Sequence, residues 1–432
     1  MKRVGFITLG CKVNIYESNA LKNELISKGF EITEANENCD VYIINTCSVT
    51  NMADAKSRKM IRKAIKLNPN AIVCAMGCYV QTNDEAKNID GVDILVGNGN
   101  KKEVVEQIIN KLNEKKSPKY VNILDILNTH NYEPLDVTTY DHTRAFVKIE
   151  DGCEHFCTYC IIPYARGPVR CKGANDVIDE IKRITEMGYL EVVLAGIHTG
   201  RYKDNDTNLS GLIKRILKEV PKLKRLRLSS IEINEVDDEF INLMKDNDIL
   251  ANHLHLPLQA GSDLILSKME RKYNTEYFLE RVNKIKEARP DISITTDVIV
   301  GFPYETDKEY KETKDFISKV GFSKLHVFPY SMRKGTKAVE MPQVHDATKK
   351  ERAADLIEYS KYLEKEYSNR FVGATLEVIV EQALDNTTMV GHTSNFLQVV
   401  MDLDEKLIGK NVLVKIIEIK DLKVYGKIEK NM

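Results

Sequence analysis

The chain has 432 residues, 43% of them hydrophobic and 29% charged, with 63 Lys and Arg against 64 Asp and Glu. That length suggests about two to four domains with a sizeable core, and neither a disordered chain nor a membrane span fits, since no apolar run reaches about 18 residues. A net charge of −1 gives no overall attraction for nucleic acid, so any basic binding surface must be local.

Residues 1–115 alternate strand and helix patterns. Strands are predicted at 4–9, 41–45, 71–75 and 92–96, with helices at 17–28, 53–67 and 101–114 between them. Such alternation implies βαβ units around a parallel sheet. The first apolar run is too short, and Lys12 follows too soon, for a secretory signal. Residues 116–143 lose the rhythm, bounded by Lys115-Lys116-Ser117-Pro118 and Glu133-Pro134, and read as a linker. From Ala145 the alternation resumes, with strands at 145–149, 191–195, 226–229, 253–256, 292–300 and 324–328. Helical patterns at 175–187, 208–219 and 306–320 lie between them. Eight such units would make a full barrel; six imply a partial (β/α)6 barrel, open on one side. A charged helix at 347–370 follows, and the remainder reads as a small all-β barrel punctuated by Gly391, Gly409 and Gly426. The expected fold class is α/β, with domains at 1–120, 140–368 and 370–432.

Nine cysteines in a large chain without a secretory signal favour metal binding over a disulfide framework. Cys153, Cys157 and Cys160 stand at C-x3-C-x2-C spacing just after the first barrel strand, on the face where barrel active sites form. Three thiolates on one loop suit three corners of a four-iron, four-sulfur cluster, leaving one iron free for a ligand. The alternative is zinc on Cys157 and Cys160, completed by Cys171 or His155, although neither fits a common zinc spacing. A second set, Cys11, Cys47 and Cys78, follows three strands of the first domain, each among turn residues. Ligands of open parallel sheets bind at that edge, so these three converge on a second site or else fill core space. Cys39, Cys74 and Cys171 lack this context; Cys74 falls within a strand.

The C-x3-C-x2-C loop at that barrel position resembles the radical S-adenosylmethionine (SAM) superfamily. With the second triplet and the small β-domain, the whole chain resembles the radical-SAM methylthiotransferases. This resemblance implies that Cys153, Cys157 and Cys160 hold a 4Fe-4S cluster that binds SAM, and that Cys11, Cys47 and Cys78 hold an auxiliary 4Fe-4S cluster. It implies SAM contacts from Tyr159, Gly196, Ser230, Glu232, Gln259 and Gly301, with no catalytic side chain beyond the clusters, and an RNA-binding TRAM domain at the C-terminus. Gly10-Cys11-Lys12-Val13-Asn14, Asn45-Thr46-Cys47-Ser48, His142-Thr143-Arg144-Ala145-Phe146-Val147-Lys148 and Pro163-Tyr164-Ala165-Arg166-Gly167 look like the subgroup acting on N6-threonylcarbamoyladenosine in tRNA. Cys171 departs from the family pattern, in which Ser is usual.

The activity so implied is a cytoplasmic transferase that places a methylthio group on carbon 2 of that adenosine, next to the anticodon. Its partners are a tRNA anticodon stem-loop and an electron donor such as flavodoxin or ferredoxin; no membrane is involved. Carbon 2 has no acidic proton, so a radical rather than acid–base chemistry has to open it. A cation must meet the threonyl carboxylate, with Lys12 and Arg166 as candidates. RNA contact needs positive charge, which Lys56, Lys59, Arg62 and Lys63 supply on the 53–67 helix. From 369 onward there are eight Lys and Arg against nine Asp and Glu, so the last domain is not basic. The alternatives are methylthiolation of isopentenyladenosine or of a ribosomal-protein aspartate, and, outside catalysis, a two-cluster electron carrier or an RNA-binding protein.

Overall fold

The computed structural model describes residues 1–114, 118–140 and 143–431. Residues 116, 117, 141 and 142 of the expected linker, the last being His142 of the motif at 142–148, lie outside the described residues.

The N-terminal sheet contains β1 (Arg3–Thr8), β2 (Glu31–Thr33), β3 (Val41–Thr46), β4 (Ile72–Gly77), β5 (Ile94–Val96) and β6 (Tyr120–Asn122), in the order β2-β1-β3-β4-β5-β6. All its pairings are parallel. β3 is buried along its whole length, as its apolar run requires for a strand covered on both faces. Helices α1 (Lys12–Ser27), α2 (Asn51–Leu67), α3 (Cys78–Thr82) and α4 (Glu103–Asn113) connect or flank the strands. In α2, Thr50 caps the first turn by accepting from Ala53 N, and Asp54, Ser57, Ile61 and Ala64 recur on the buried face. The stretch read as a linker contributes β6, which pairs with β5. Three half-exposed residues carry too short a pattern to declare a strand.

The central strands are β7 (Arg144–Lys148), β8 (Glu191–Ala195), β9 (Arg225–Leu228), β10 (His253–His255), β11 (Ser293–Val300) and β12 (Lys324–Pro329). They pair as two parallel three-stranded halves. A Leu226–Leu250 bridge and the bond from Ile231 N to His255 O (3.1 Å) join the halves into a partial barrel. Among the described residues no pairing links β7 to β12, so the barrel is open there. Helices α5 (Ile162–Arg166), α6 (Ala174–Glu186), α7 (Leu209–Glu219), α8 (Asp238–Asp246), α9 (Asp263–Lys268), α10 (Thr275–Ala288) and α11 (Asp307–Val320) surround it. The N-terminal domain covers the open side: Tyr16 and Ala20 of α1 join the barrel core beside Ala145 and Val147. Beyond β12, Ser331 Oγ accepts from Asn51 N at 3.1 Å.

After α12 (Asp346–Asn369), five strands close a small barrel: β13 (Thr375–Ala383), β14 (Thr388–Thr393), β15 (Gln398–Asp402), β16 (Asn411–Lys420) and β17 (Lys423–Asn431). The connection between β14 and β15 seats against the amino ends of the central strands. Arg225 donates to His392 O (3.0 Å) and Arg227 to Ser394 O (3.2 Å), while Glu191 pairs with both arginines. The Phe396 ring stacks on His253, centroids 4.8 Å apart, and lies under the Arg227 and Arg144 guanidiniums. The last domain thus forms a floor beneath the central barrel.

Candidate functional site

The sheet order sets β1, β3 and β4 side by side, so the loops at their carboxyl ends are neighbours. Cys11 caps α1, Cys47 directly follows β3 and Cys78 opens α3. Gly10 has φ +98°, and a Cβ there would stand 3.0 Å from Cys47 Sγ, so only glycine lets these loops approach so closely. Asn14 Nδ2 ties them by donating to Leu9 O (2.6 Å) and Thr46 O (3.0 Å). Asn98 Nδ2 donates to Cys78 Sγ (3.4 Å) and to Ala165 O of α5 (2.7 Å). Burial pushes the Cys11 thiol up and that of Cys47 to about 11. A metal that binds the thiolates would replace those protons.

A buried charge network lies next to this triplet. Arg166 Nη1 meets Glu17 Oε1 at 2.6 Å and Asp151 Oδ2 at 3.2 Å. Lys101 pairs with Glu17 (2.5 Å), Lys148 with Glu17 (3.2 Å) and Asp151 (2.7 Å), and Arg170 with Asp151 (3.6 Å). Four cations thus share two carboxylates, all of them buried. Buried charge is costly unless matched, and Arg166 is held in its charged form by Asp151 and Glu17 first, with Cys78 and Cys11 adding to them. An anionic cluster ligated by thiolates fits as the missing counter-charge. Committed to this network, Arg166 is not free to receive a substrate carboxylate.

The second triplet lies on the loop after β7. Arg271 Nη1 donates to Cys157 Sγ (3.4 Å), while its other arm pairs with Glu232. Burial pushes the Cys160 thiol to about 12 and raises Cys153 as well. Among the described residues, His155, His198 and Glu235 bring their donor atoms within 4.8 Å of one another beside this loop. Glu150 Oε2 accepts from Ile197 N (2.9 Å) and His198 N (2.7 Å), shaping the loop after β8. Burial pushes the Glu150 carboxyl up to about 8.

Cys153, Cys157 and Cys160 line a cavity of about 340 Å³, with Tyr159, Ser230, Glu232, Gln259 and Arg271 on its walls. Gln259 has φ +64°, a left-handed conformation costly for a non-glycine residue, and it is held by Gln259 N to Asp297 O and Ile299 N to Gln259 O, both 2.8 Å. A larger cavity of about 880 Å³ adjoins, lined by Cys11, Lys12, Gly196 and Phe396 among others. Ser230, Pro257, Asp297 and Phe328 border both cavities. Cys153, Cys157 and Cys160 therefore share one continuous chamber with Cys11, the member of the other triplet that lines it. Gly301, expected among the SAM contacts, is not among the residues lining either cavity: it packs against Lys349, and its N–H bonds to Glu305 Oε1 (2.6 Å). Cys39 and Cys74 are buried within the first domain, and Cys171 Sγ accepts from Lys203 N (3.2 Å), away from both cavities.

Lys56, Lys59, Arg62 and Lys63 are exposed on α2. Among the described residues none of them has an ion-pair partner. The helix begins at the chamber, since Thr50 lines the smaller cavity. There, Arg333 beyond β12 anchors it by donating to Asp54 Oδ2 and Ser48 Oγ, both at 2.8 Å.

Three family models match in succession: an uncharacterized protein family, UPF0004, over residues 3–97, the radical SAM superfamily over 147–317 and the TRAM domain over 369–428. The threonylcarbamoyladenosine tRNA methylthiotransferase MtaB of Bacillus subtilis is 44% identical over 97% of this chain and 94% of its own. The chain belongs to the radical-SAM methylthiotransferases. A tRNA-2-methylthio-N(6)-dimethylallyladenosine synthase of a Thermoanaerobacter species is 36% identical, over 98% of this chain and 91% of its own. In fold, this methylthiotransferase is similar to the radical S-adenosylmethionine methyltransferase TsrM of Kitasatospora setae, with TM-score 0.57 and 14% identity over 78% of this chain and 77% of that one.

Sequence reasoning missed several residues of the methylthiotransferase chamber. Arg271 follows α9 with no motif around it, and its contact with Cys157 crosses 114 positions. The contact of His198 Nε2 with Glu235 Oε1 (2.6 Å) joins loops after different strands, and His198 Nδ1 stands 3.6 Å from Cys153 Sγ. Glu150 carried one available signal, an acidic residue at the end of a buried strand next to the cysteine loop.

Proposed function

We propose that this chain methylthiolates carbon 2 of N6-threonylcarbamoyladenosine next to the anticodon of tRNA. The observation that carries the reading is the single chamber lined by Cys153, Cys157 and Cys160 on one side and by Cys11, from the other triplet, on the other. Identity of 44% to a protein named for that substrate, against 36% to one named for the dimethylallyl nucleoside, supports the choice of substrate.

Cys153, Cys157 and Cys160 would hold one 4Fe-4S cluster and Cys11, Cys47 and Cys78 the other. When bound, SAM and the two clusters supply hydrogen abstraction from an unactivated carbon and a methylthio donor. The residues of this chain bind and orient. Arg271 holds Cys157 and Glu232 in register, Glu150 fixes the loop that ends in His198, and Tyr159, Ser230 and Gln259 form the wall where SAM would lie. Asp297 and Phe328 stand where the two cavities meet, the natural seat for a nucleoside facing both clusters. The floor formed around Phe396 excludes water from below. A base must leave its stack to enter such a chamber, and an anticodon loop gives up a base at low cost.

Residues 1–120 would serve the auxiliary cluster, 140–368 the radical chemistry and 370–432 RNA binding, with Lys56, Lys59, Arg62 and Lys63 of α2 meeting tRNA phosphates. An electron donor such as flavodoxin or ferredoxin would reduce the SAM cluster, and the work belongs in the cytoplasm. Among the described residues no helix is long and apolar enough to cross a membrane.

Nucleoside mass spectrometry of tRNA from cells lacking this protein tests the reading. The 2-methylthio derivative of threonylcarbamoyladenosine should disappear while its precursor accumulates. Loss of the 2-methylthio isopentenyl nucleoside in its place would overturn the substrate assignment.

A further inference from the structure

The chamber's cations are not equivalent. Arg144 is paired with Glu381 at 3.1 Å, Arg227 with Glu191 at 2.7 Å and Lys324 with Glu364 at 2.9 Å. Lys423 lies exposed on the rim. Lys12 lines the chamber directly beside Cys11, and among the described residues its ammonium has no hydrogen bond and no ion pair. Lys12 also opens α1, a 16-residue helix with no acidic residue in its first turn and no side-chain cap. The first N–H groups of such a helix favour an anion. An uncommitted ammonium inside a chamber is costly unless a ligand meets it.

We infer that Lys12 receives the carboxylate of the threonyl group and so selects the carboxylate-bearing nucleoside over neutral, apolar ones. This rests on the proposed function and adds to it the residue that reads the substrate. Arg166, Lys101, Lys148 and Arg170 near the auxiliary triplet are all engaged by Glu17 and Asp151, which among the described residues leaves Lys12 as the unpaired positive group on the wall where Cys11 also stands. Receipt of the carboxylate there would bring the adenine ring close to that triplet. A charge-assisted bond to a carboxylate is among the strong ones and demands a matched partner.

The test compares wild type, Lys12→Met and Lys12→Arg on two anticodon stem-loops, one bearing threonylcarbamoyladenosine and one bearing its methyl ester. Wild type should prefer the free acid by about 10- to 100-fold in kcat/KM, mostly through KM. Lys12→Met should lose that preference by failing on the acid while keeping its rate on the ester, with iron content unchanged. Lys12→Arg should restore most of the preference. Equal discrimination by wild type and Lys12→Met overturns the inference, as does a wild type indifferent to esterification. So does loss of iron in Lys12→Met, which would make Lys12 a support for the cluster. A wild type that turns over only the isopentenyl stem-loop overturns the proposed function itself, a result distinct from these.

Discussion

Arg166 Nη1 and Glu17 Oε1 meet 2.6 Å apart in the buried seam between the first domain and the barrel. Glu17 rides on the helix that begins at Cys11, and Arg166 ends the short helix that follows Cys160. The ion pair thus ties the helix behind one cysteine triplet to the helix behind the other. Replacing Glu17 with Gln leaves Arg166, Lys101 and Lys148 short of a counter-charge. Breaking a buried pair from one side costs about 3–5 kcal/mol. Denaturant unfolding of the anaerobically reconstituted protein should show a loss of that order, and an unchanged midpoint would show that the network does not hold the domains.

The two triplets should be separable. Reconstituted protein should hold about eight irons, four per cluster, and Cys153→Ala should halve that number. Cys47→Ala should keep SAM cleavage measurable while abolishing methylthio transfer. A wild-type content of four irons, all lost in Cys153→Ala, would contradict a second cluster.

Glu150 makes folding sensitive to pH. Its carboxyl is raised from an ordinary 4.5 to about 8 by burial, so the native state keeps a proton that the unfolded chain releases. The stability this contributes is complete below pH 4.5 and is lost as pH rises through about 8. Glu150→Gln should flatten the fall in stability across that window. Parallel pH profiles for the two proteins would show that Glu150 does not titrate there.

The basic face of α2 should act through phosphates alone. Lys59→Glu with Lys63→Glu should weaken tRNA binding for every sequence. It should also reduce the slope of log affinity against log salt by about one for each lysine removed. Iron content should not change. An unaltered slope would place the RNA elsewhere.

The cysteine loops were legible in the sequence because strand periodicity put Cys11, Cys47 and Cys78 at one sheet edge, and because Cys153, Cys157 and Cys160 are local in the chain. Their nearness in space follows from β1, β3 and β4 being neighbours, which alternation alone does not specify. Arg271, Glu150 and the His198–Glu235 pair were hidden because their partners come from distant strand ends. The close approach of Lys349 on α12 to Gly301 was likewise not readable from the strand that Gly301 ends. The strand at Tyr120–Asn122 was missed because its stability comes from pairing with β5 and not from its own pattern. The floor under the barrel was unreadable for a similar reason: Phe396 and Arg227 are 169 positions apart in sequence and meet only in the fold.

A threonylcarbamoyladenosine seated between the two clusters should gain its methylthio group only when both are intact. Mass spectrometry of matched anticodon stem-loops, treated with reduced, reconstituted enzyme and SAM, tests it most directly. The account predicts a methylthio group on the threonylcarbamoyl stem-loop with wild type, and none with Cys47→Ala although 5′-deoxyadenosine still forms. Product from Cys47→Ala at the wild-type level, or product only on the isopentenyl stem-loop, would contradict it.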